Sequence, residues 1–225
     1  MLSKDNESWK CTKKVGSLIG DKEDVERRKK LASAAFNRMT TLWIRGDKIK
    51  NATKLKLYTS LIKSILLYNC GTWALTQKEE QKLDSFHRKQ LKRVLNIYYP
   101  TKISNKKLYK KCDERPLSIQ ILESRWQLFG HILRRDEHIP ANKAMIAFFT
   151  PSGQTKYKGR PPTTIYTKLN QDLKKLESGK ELKTMKDLEA LRSLAEDREA
   201  WKELTRRIRE AAEASHSDEW EARRP

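Results

Sequence analysis

Apolar residues recur every three or four positions over most of this chain, the spacing of one buried face of a helix, and short polar stretches interrupt them. After a polar lead-in over 1–14, Val15-Gly-Ser-Leu-Ile-Gly20 is a short apolar run between glycines, suited to the end of a β-hairpin. From Asp21 the spacing predicts a helix with Val25, Leu31, Ala35, Met39 and Leu42 on one face, stopped at Gly46-Asp47. Asn51 then caps a second helix running to about Ala74. Its Leu55, Tyr58, Leu61, Ile62, Ile65, Leu66 and Tyr68 are apolar nearly all round, as in a central buried helix.

Thr76-Gln-Lys-Glu79 has the spacing of a capping box and predicts a third helix. Leu83, Phe86, Leu91, Val94 and Leu95 are its core stripe, with Arg88, Lys89, Lys92 and Arg93 on or beside the opposite side. Tyr98-Tyr99-Pro100 ends it, and Ser104 opens a short helix carrying Lys106, Lys107, Lys110 and Lys111. A helix from Leu117 to about Arg135 shows Ile121, Leu122, Trp126, Phe129 and Leu133 on one face. A shorter helix is expected over 142–149, a linker over 150–162, and helices again over 163–176 and 184–214. The expected chain is mainly α: a hairpin at 1–20, a helical bundle at 21–100, a helical extension at 101–149, the linker, C-terminal helices at 163–214 and a disordered tail at 215–225.

Composition narrows what such a chain does. Only 37% of residues are hydrophobic, against roughly 45–50% in ordinary domains. Six Trp, seven Tyr and five Phe nevertheless argue for a folded core. Cys11, Cys70 and Cys112, spaced 59 and 42 apart, make neither a disulfide framework nor a zinc knuckle and read as reduced thiols. No apolar run approaches the roughly 18 residues of a membrane helix, and the N-terminus lacks an apolar signal core. The expected location is therefore intracellular, cytoplasmic or nuclear, with no membrane partner.

Charge changes the picture most. The chain carries 49 Lys and Arg against 29 Asp and Glu, a net +20. Residues 1–180 hold 39 basic and 17 acidic side chains, whereas 181–225 hold 10 and 12. A self-repelling basic body of this kind normally has a polyanion as partner, most often nucleic acid.

Catalytic motifs do not emerge. The sequence has no phosphate-cradling glycine loop, zinc-protease helix or nucleophile elbow. Its acidic pairs fall on helix starts and loops, and no Asp-Asp pair occurs. His87, His131, His138 and His216 lack ligand partners at close spacing, so neither metal nor cofactor is expected. Basic helices tracking a phosphate backbone are the remaining chemistry. Tyr98, Tyr99 and Tyr157 are the aromatics suited to stack on bases, while Trp43, Trp73, Trp126 and Trp201 read as core. Lys158-Gly-Arg160-Pro161 is similar to the minor-groove core of an AT-hook and equally suits a flexible linker.

The order of segments also carries a resemblance. Val15-Gly-Ser-Leu-Ile, Lys54-Leu-Lys-Leu-Tyr58 and Ser64-Ile-Leu-Leu-Tyr-Asn-Cys-Gly-Thr-Trp-Ala-Leu-Thr76 come first. Leu83-Asp-Ser-Phe-His-Arg-Lys-Gln-Leu-Lys-Arg-Val-Leu95, Arg125-Trp-Gln-Leu-Phe-Gly-His131, Gly159-Arg-Pro and Asp197-Arg-Glu-Ala-Trp201 follow. Together, over about residues 13–210, they resemble the downstream half of non-LTR (LINE-type) retrotransposon reverse transcriptases. The resemblance implies that Gly16 and Ser17 lie in a primer-grip hairpin, that 21–96 form the thumb holding template–primer, and that 103–210 form the family's C-terminal extension. The chain departs from the family in lacking the paired polymerase Asp-Asp, in having Lys14 where an aromatic precedes the hairpin, and in lacking a Cys/His knuckle.

The expectation is a truncated member of that family that does not polymerise on its own. It would bind RNA, RNA–DNA hybrid or DNA without sequence preference, through Gly16, Ser17, Arg88, Lys89, Lys92, Arg93, Lys106, Lys107, Lys110, Lys111, Lys156, Lys158 and Arg160. The alternatives are a helical interaction module that pairs with a partner through 184–214, or a relic without function.

Overall fold

The computed structural model describes residues 10–44, 48–149, 163–176 and 181–222. In chain order the elements are β1 (Lys13–Lys14), β2 (Ser17–Leu18), α1 (Asp21–Arg38), α2 (Thr40–Ile44), α3 (Asn51–Leu57), a π-helical turn (Tyr58–Lys63) and α4 (Ser64–Leu66). A 3-10 turn (Cys70–Thr72) leads to α5 (Gln77–Val94), α6 (Asn105–Cys112), α7 (Leu117–Leu133) and α8 (Pro140–Phe149). The last three are α9 (Ile165–Leu173), α10 (Met185–Glu196) and α11 (Arg198–Ala222). The protein is mainly helical, with one small antiparallel sheet at the N-terminus. Two compact units emerge: Met1–Cys70 with Leu75–Ser118, and Gly71–Ala74 with Ile119–Pro225. The division falls inside α7, so α6 belongs with the first bundle and not with the extension in which the sequence reading groups it.

Helices begin where short polar side chains take up amides that a helix start leaves open. Thr76 accepts from the Glu79 amide while the Glu79 carboxylate accepts from the Thr76 amide at 2.8 Å, the capping box its sequence predicts for α5. Thr184 and Asp187 repeat this at α10, and Ser104 accepts from the Lys107 amide at 3.3 Å to open α6. Asn51 is not the cap of α3: it is the first helical residue, and Lys50 stands before it without a side-chain cap.

In the first unit, Lys13 pairs with Leu18 and Lys14 with Ser17 across a two-residue turn. Val15 and Gly16 sit at φ +48° and +82°, the left-handed pair that matches hairpin twist and that glycine adopts without cost. The turn is tied to α1: Gly16 O accepts from Arg27 at 3.0 Å and from Arg28 at 2.6 Å. Consequently α1 buries Asp24, Val25, Arg28, Ala32 and Phe36, while Leu31 from the expected stripe is 41% exposed. Arg28 pairs with Asp24 at 3.6 Å, so a hydropathy pattern misses this face.

The central segment also corrects the reading. Lys54, Tyr58, Ile62 and Leu66, four residues apart, form its fully buried line, whereas Leu61 is 45% and Tyr68 46% exposed. A four-residue repeat drifts about 40° per step around an α-helix of 3.6 residues per turn, and the wider π turn in the middle takes up that drift. The helix stops at Leu66, short of Ala74, and Asn69 at φ +59° turns the chain. Buried Lys54 donates to the Trp43 carbonyl at 2.7 Å, and Trp43 donates through Nε1 to the Phe36 carbonyl at 2.9 Å.

His87 is the polar centre of this bundle. Burial, with Lys63 and Arg88 adding, pulls its pKa down to about 3, and burial pushes the Tyr58 phenol up, so neutral His87 Nδ1 and the neutral Tyr58 hydroxyl share a hydrogen bond of 2.8 Å. In the unfolded chain a histidine titrates near 6.5. Below that pH the unfolded chain binds a proton that the fold refuses, so stability is lost as pH falls from 6.5 toward 3. Between pH 7 and pH 5 the wild type is expected to lose about 2 kcal/mol more than His87→Gln does. Urea unfolding at the two pH values checks this, and parallel losses in the two proteins would contradict it.

The second unit is built on tryptophan. Trp126, Phe129 and Trp201 form its aromatic cluster, with ring centroids 5.6–5.9 Å apart. Trp201 Nε1 donates to the Trp126 carbonyl at 3.1 Å. A Cβ on Gly130 would stand 2.3 Å from that same nitrogen, and one on Gly71 would stand 2.9 Å from the Ser124 carbonyl oxygen. Both glycines are therefore close-approach positions. Asp172 accepts from Arg125 at 2.9 Å and from Trp126 Nε1 at 3.2 Å, all three side chains being buried.

The single helix expected over 184–214 is two. Asp197, extended at ψ 106°, ends α10 and caps α11 by accepting from the Glu199 and Ala200 amides. The backbone of α11 stays helical to Ala222, past position 215 where the sequence reading begins a disordered tail. Leu188, Leu191, Ala195, Trp201, Leu204, Ile208 and Ala212 spend the apolar stripe of both helices on the unit's own core. No helix among the described residues is long and apolar enough to cross a membrane.

Candidate nucleic-acid interface

Cations concentrate in the first unit. It holds 28 Lys and Arg against 12 Asp and Glu, a net +16 of the chain's +20, leaving +4 for the second. Within it, residues 85–112 carry nine Lys and Arg and no carboxylate at all. This stretch runs from the middle of α5 to the end of α6.

On α6 the geometry is that of a two-faced helix. Leu108, Tyr109 and Cys112 are buried, while Lys106, Lys107, Lys110 and Lys111 are exposed. The rings of His87 and Tyr109, 6.0 Å apart, seat α6 against α5. Cys112 closes α6 with its thiol pushed up to about 11 by burial, Glu114 adding, which suits a packed helix end and not a nucleophile. Lys110 and Lys111 lie in the last turn, where the helix dipole favours positive charge. Glu114, just beyond, accepts from Lys63 at 2.7 and 2.8 Å and from Thr59 at 2.8 Å, so its charge is matched inside the unit.

The four cations in the C-terminal half of α5 divide. Lys89 is exposed and Lys92 half-buried. The Arg93 guanidinium lies over the Phe36 ring, 4.4 Å from its centroid, and donates to Asn37 Oδ1 at 3.2 Å. Arg88 is half-buried beside the Tyr109 phenol, whose pKa burial raises, Asp84 raises further and Arg88 lowers. Arg88 and Arg93 thus serve packing as well as charge.

Gly16 and Ser17 are held by side chains of their own unit. Gly16 O is held by two arginines, and buried Ser17 Oγ accepts from Arg28 at 3.0 Å and from Asn69 at 3.4 Å. Ser17 is buried, whereas Gly16 is half-buried at the tip of the turn, next to Val15 at 84% exposure. Lys156, Lys158 and Arg160 lie outside the described residues, as does the 150–162 linker. Lys102, exposed between α5 and α6, is a cation the sequence reading passed over. The signal for it was the carboxylate-free run, which is visible in the sequence but is not a motif. Among the described residues no three His, Cys, Asp or Glu side chains are placed to share a metal ion.

No protein-family model, curated protein or solved structure matches the chain.

Within each unit, described segments that carry the resemblance are in contact. Tyr68 donates to the Val15 carbonyl at 3.1 Å with Arg28 over its ring, joining the hairpin to the Ser64–Thr76 segment. Tyr58 joins Lys54–Tyr58 to His87 of the Leu83–Leu95 segment. In the second unit, Trp201 of the Asp197–Trp201 segment packs on Gly130 of the Arg125–His131 segment.

Proposed function

We propose that the protein is a non-catalytic nucleic-acid-binding module, related to the thumb and C-terminal extension of non-LTR reverse transcriptases. The observation that carries the binding reading is the carboxylate-free run over 85–112, with the lysines of α6 exposed along one helix. Contacts from such lysines fall on phosphates, giving affinity with little sequence preference. The family reading rests on the order of the segments, and their mutual packing supports it. The non-catalytic reading rests on the missing Asp-Asp pair. The apolar face that would serve a helix-pairing partner is spent on α10 and α11's own core, which favours the nucleic-acid reading over the interaction module.

Lysine-reactivity footprinting of the full chain, with and without RNA–DNA hybrid, tests the placement. Lys89, Lys106, Lys107, Lys110 and Lys111 are expected to lose reactivity on binding, while Lys186 and Lys202 of the second unit keep theirs. Protection confined to the second unit, or none at all, would overturn it.

A further inference from the structure

Four large aromatic side chains stand out as exposed among the described residues: Tyr68 at 46%, Tyr98 at 56%, Tyr99 at 92% and Phe148 at 51%. Two have internal work. Tyr68 donates to Val15 and lies under Arg28, and Phe148 stacks on Tyr166 with centroids 4.0 Å apart. Tyr98 and Tyr99 make no ring, cation or side-chain hydrogen-bond contact among the described residues. They sit where the Thr101 amide closes a turn onto the Tyr98 carbonyl at 2.9 Å, which leaves Tyr99 at the outer corner. That turn lies in the middle of the carboxylate-free run, with Lys89, Lys92 and Arg93 before it and Lys102, Lys106 and Lys107 after it.

We infer that the α5–α6 turn is a base-stacking platform, which gives the interface a preference for single-stranded over duplex nucleic acid. This rests on the nucleic-acid reading above and narrows it. A polyanion is the occupant that such a surround of cations accepts, whereas an apolar protein surface would have to desolvate them. A base adds a planar π-face at each phosphate step, and aromatic side chains stack on it whatever its identity. In a duplex those faces are covered by neighbouring base pairs, so only unpaired bases reach the tyrosines. The lysines then hold the backbone while Tyr98 and Tyr99 take successive bases.

Fluorescence anisotropy of the full chain with three labelled probes tests this: a mixed-sequence single strand, an abasic strand of the same length, and a duplex. The wild type is expected to bind the base-bearing strand about tenfold or more tighter than the abasic one. Tyr98→Ala with Tyr99→Ala should bring the base-bearing strand to the abasic level and leave duplex binding unchanged, and Tyr99→Phe should keep the preference. Equal wild-type affinity for base-bearing and abasic strands overturns the platform, as does a variant weakened on all three probes alike. Absence of wild-type binding to every probe overturns the nucleic-acid reading itself, and the platform with it.

Discussion

Asp172→Ala is expected to destabilise the second unit by about 3–5 kcal/mol, because it leaves a buried guanidinium without its carboxylate. Asp172 is 3% exposed and Arg125 1% exposed, with Nη1 and Oδ2 2.9 Å apart. The same carboxylate oxygen takes the Trp126 indole N–H, so the substitution also strips a buried donor of its acceptor. Replacing both ends, Arg125→Met with Asp172→Leu, is expected to recover about half of the loss: the unpaired charge is gone, while the Trp126 indole N–H stays without its acceptor. Urea unfolding followed by tryptophan fluorescence reads both effects. A single-variant loss below about 1 kcal/mol would mean that the pair does not hold the unit together.

The second large effect is on binding. Changing Lys106, Lys107, Lys110 and Lys111 together to Ala is expected to weaken nucleic-acid affinity about 100-fold at 150 mM salt, as four phosphate contacts and their released counterions are lost. Stability should change little, because these side chains point away from the buried face of α6. The matched control is Lys186→Ala with Lys202→Ala, exposed lysines of the second unit, for which affinity should stay within about twofold. Anisotropy at fixed salt separates the two sets, and equal losses in both would reduce the interface to general basicity.

Much of this fold was legible because helix starts are local chemistry. Thr76-Gln-Lys-Glu79 and Ser104 announce α5 and α6 through hydrogen bonds spanning three residues, and the structure has both. The buried face of α1 was not legible: Asp24 and Arg28 lie inside because the turn of the hairpin needs them, and no hydropathy pattern expects charges there. Asp197 reads equally as a surface residue of a continuous helix or as a cap. Only the extended backbone at that position decides for the cap.

The site divides the same way. The lysines of α6 were readable because one short amphipathic helix fixes which side they take. Arg93 was not, since its seat over Phe36 joins residues 57 positions apart in sequence. The ties of Gly16 and Ser17 to Arg28 were equally hidden, since they join the hairpin to a helix face on which hydropathy expects no charge.

If exposed lysines of the first unit hold nucleic-acid phosphates, wild-type affinity depends steeply on salt, which anisotropy on RNA–DNA hybrid from 50 to 300 mM salt measures. With about four to six phosphates engaged, log affinity should fall against log salt with a slope of about −4 to −5, and the α6 alanine variant, four contacts fewer, should flatten it by about 3.6. A slope near zero, or no binding at 50 mM salt, would contradict the claim.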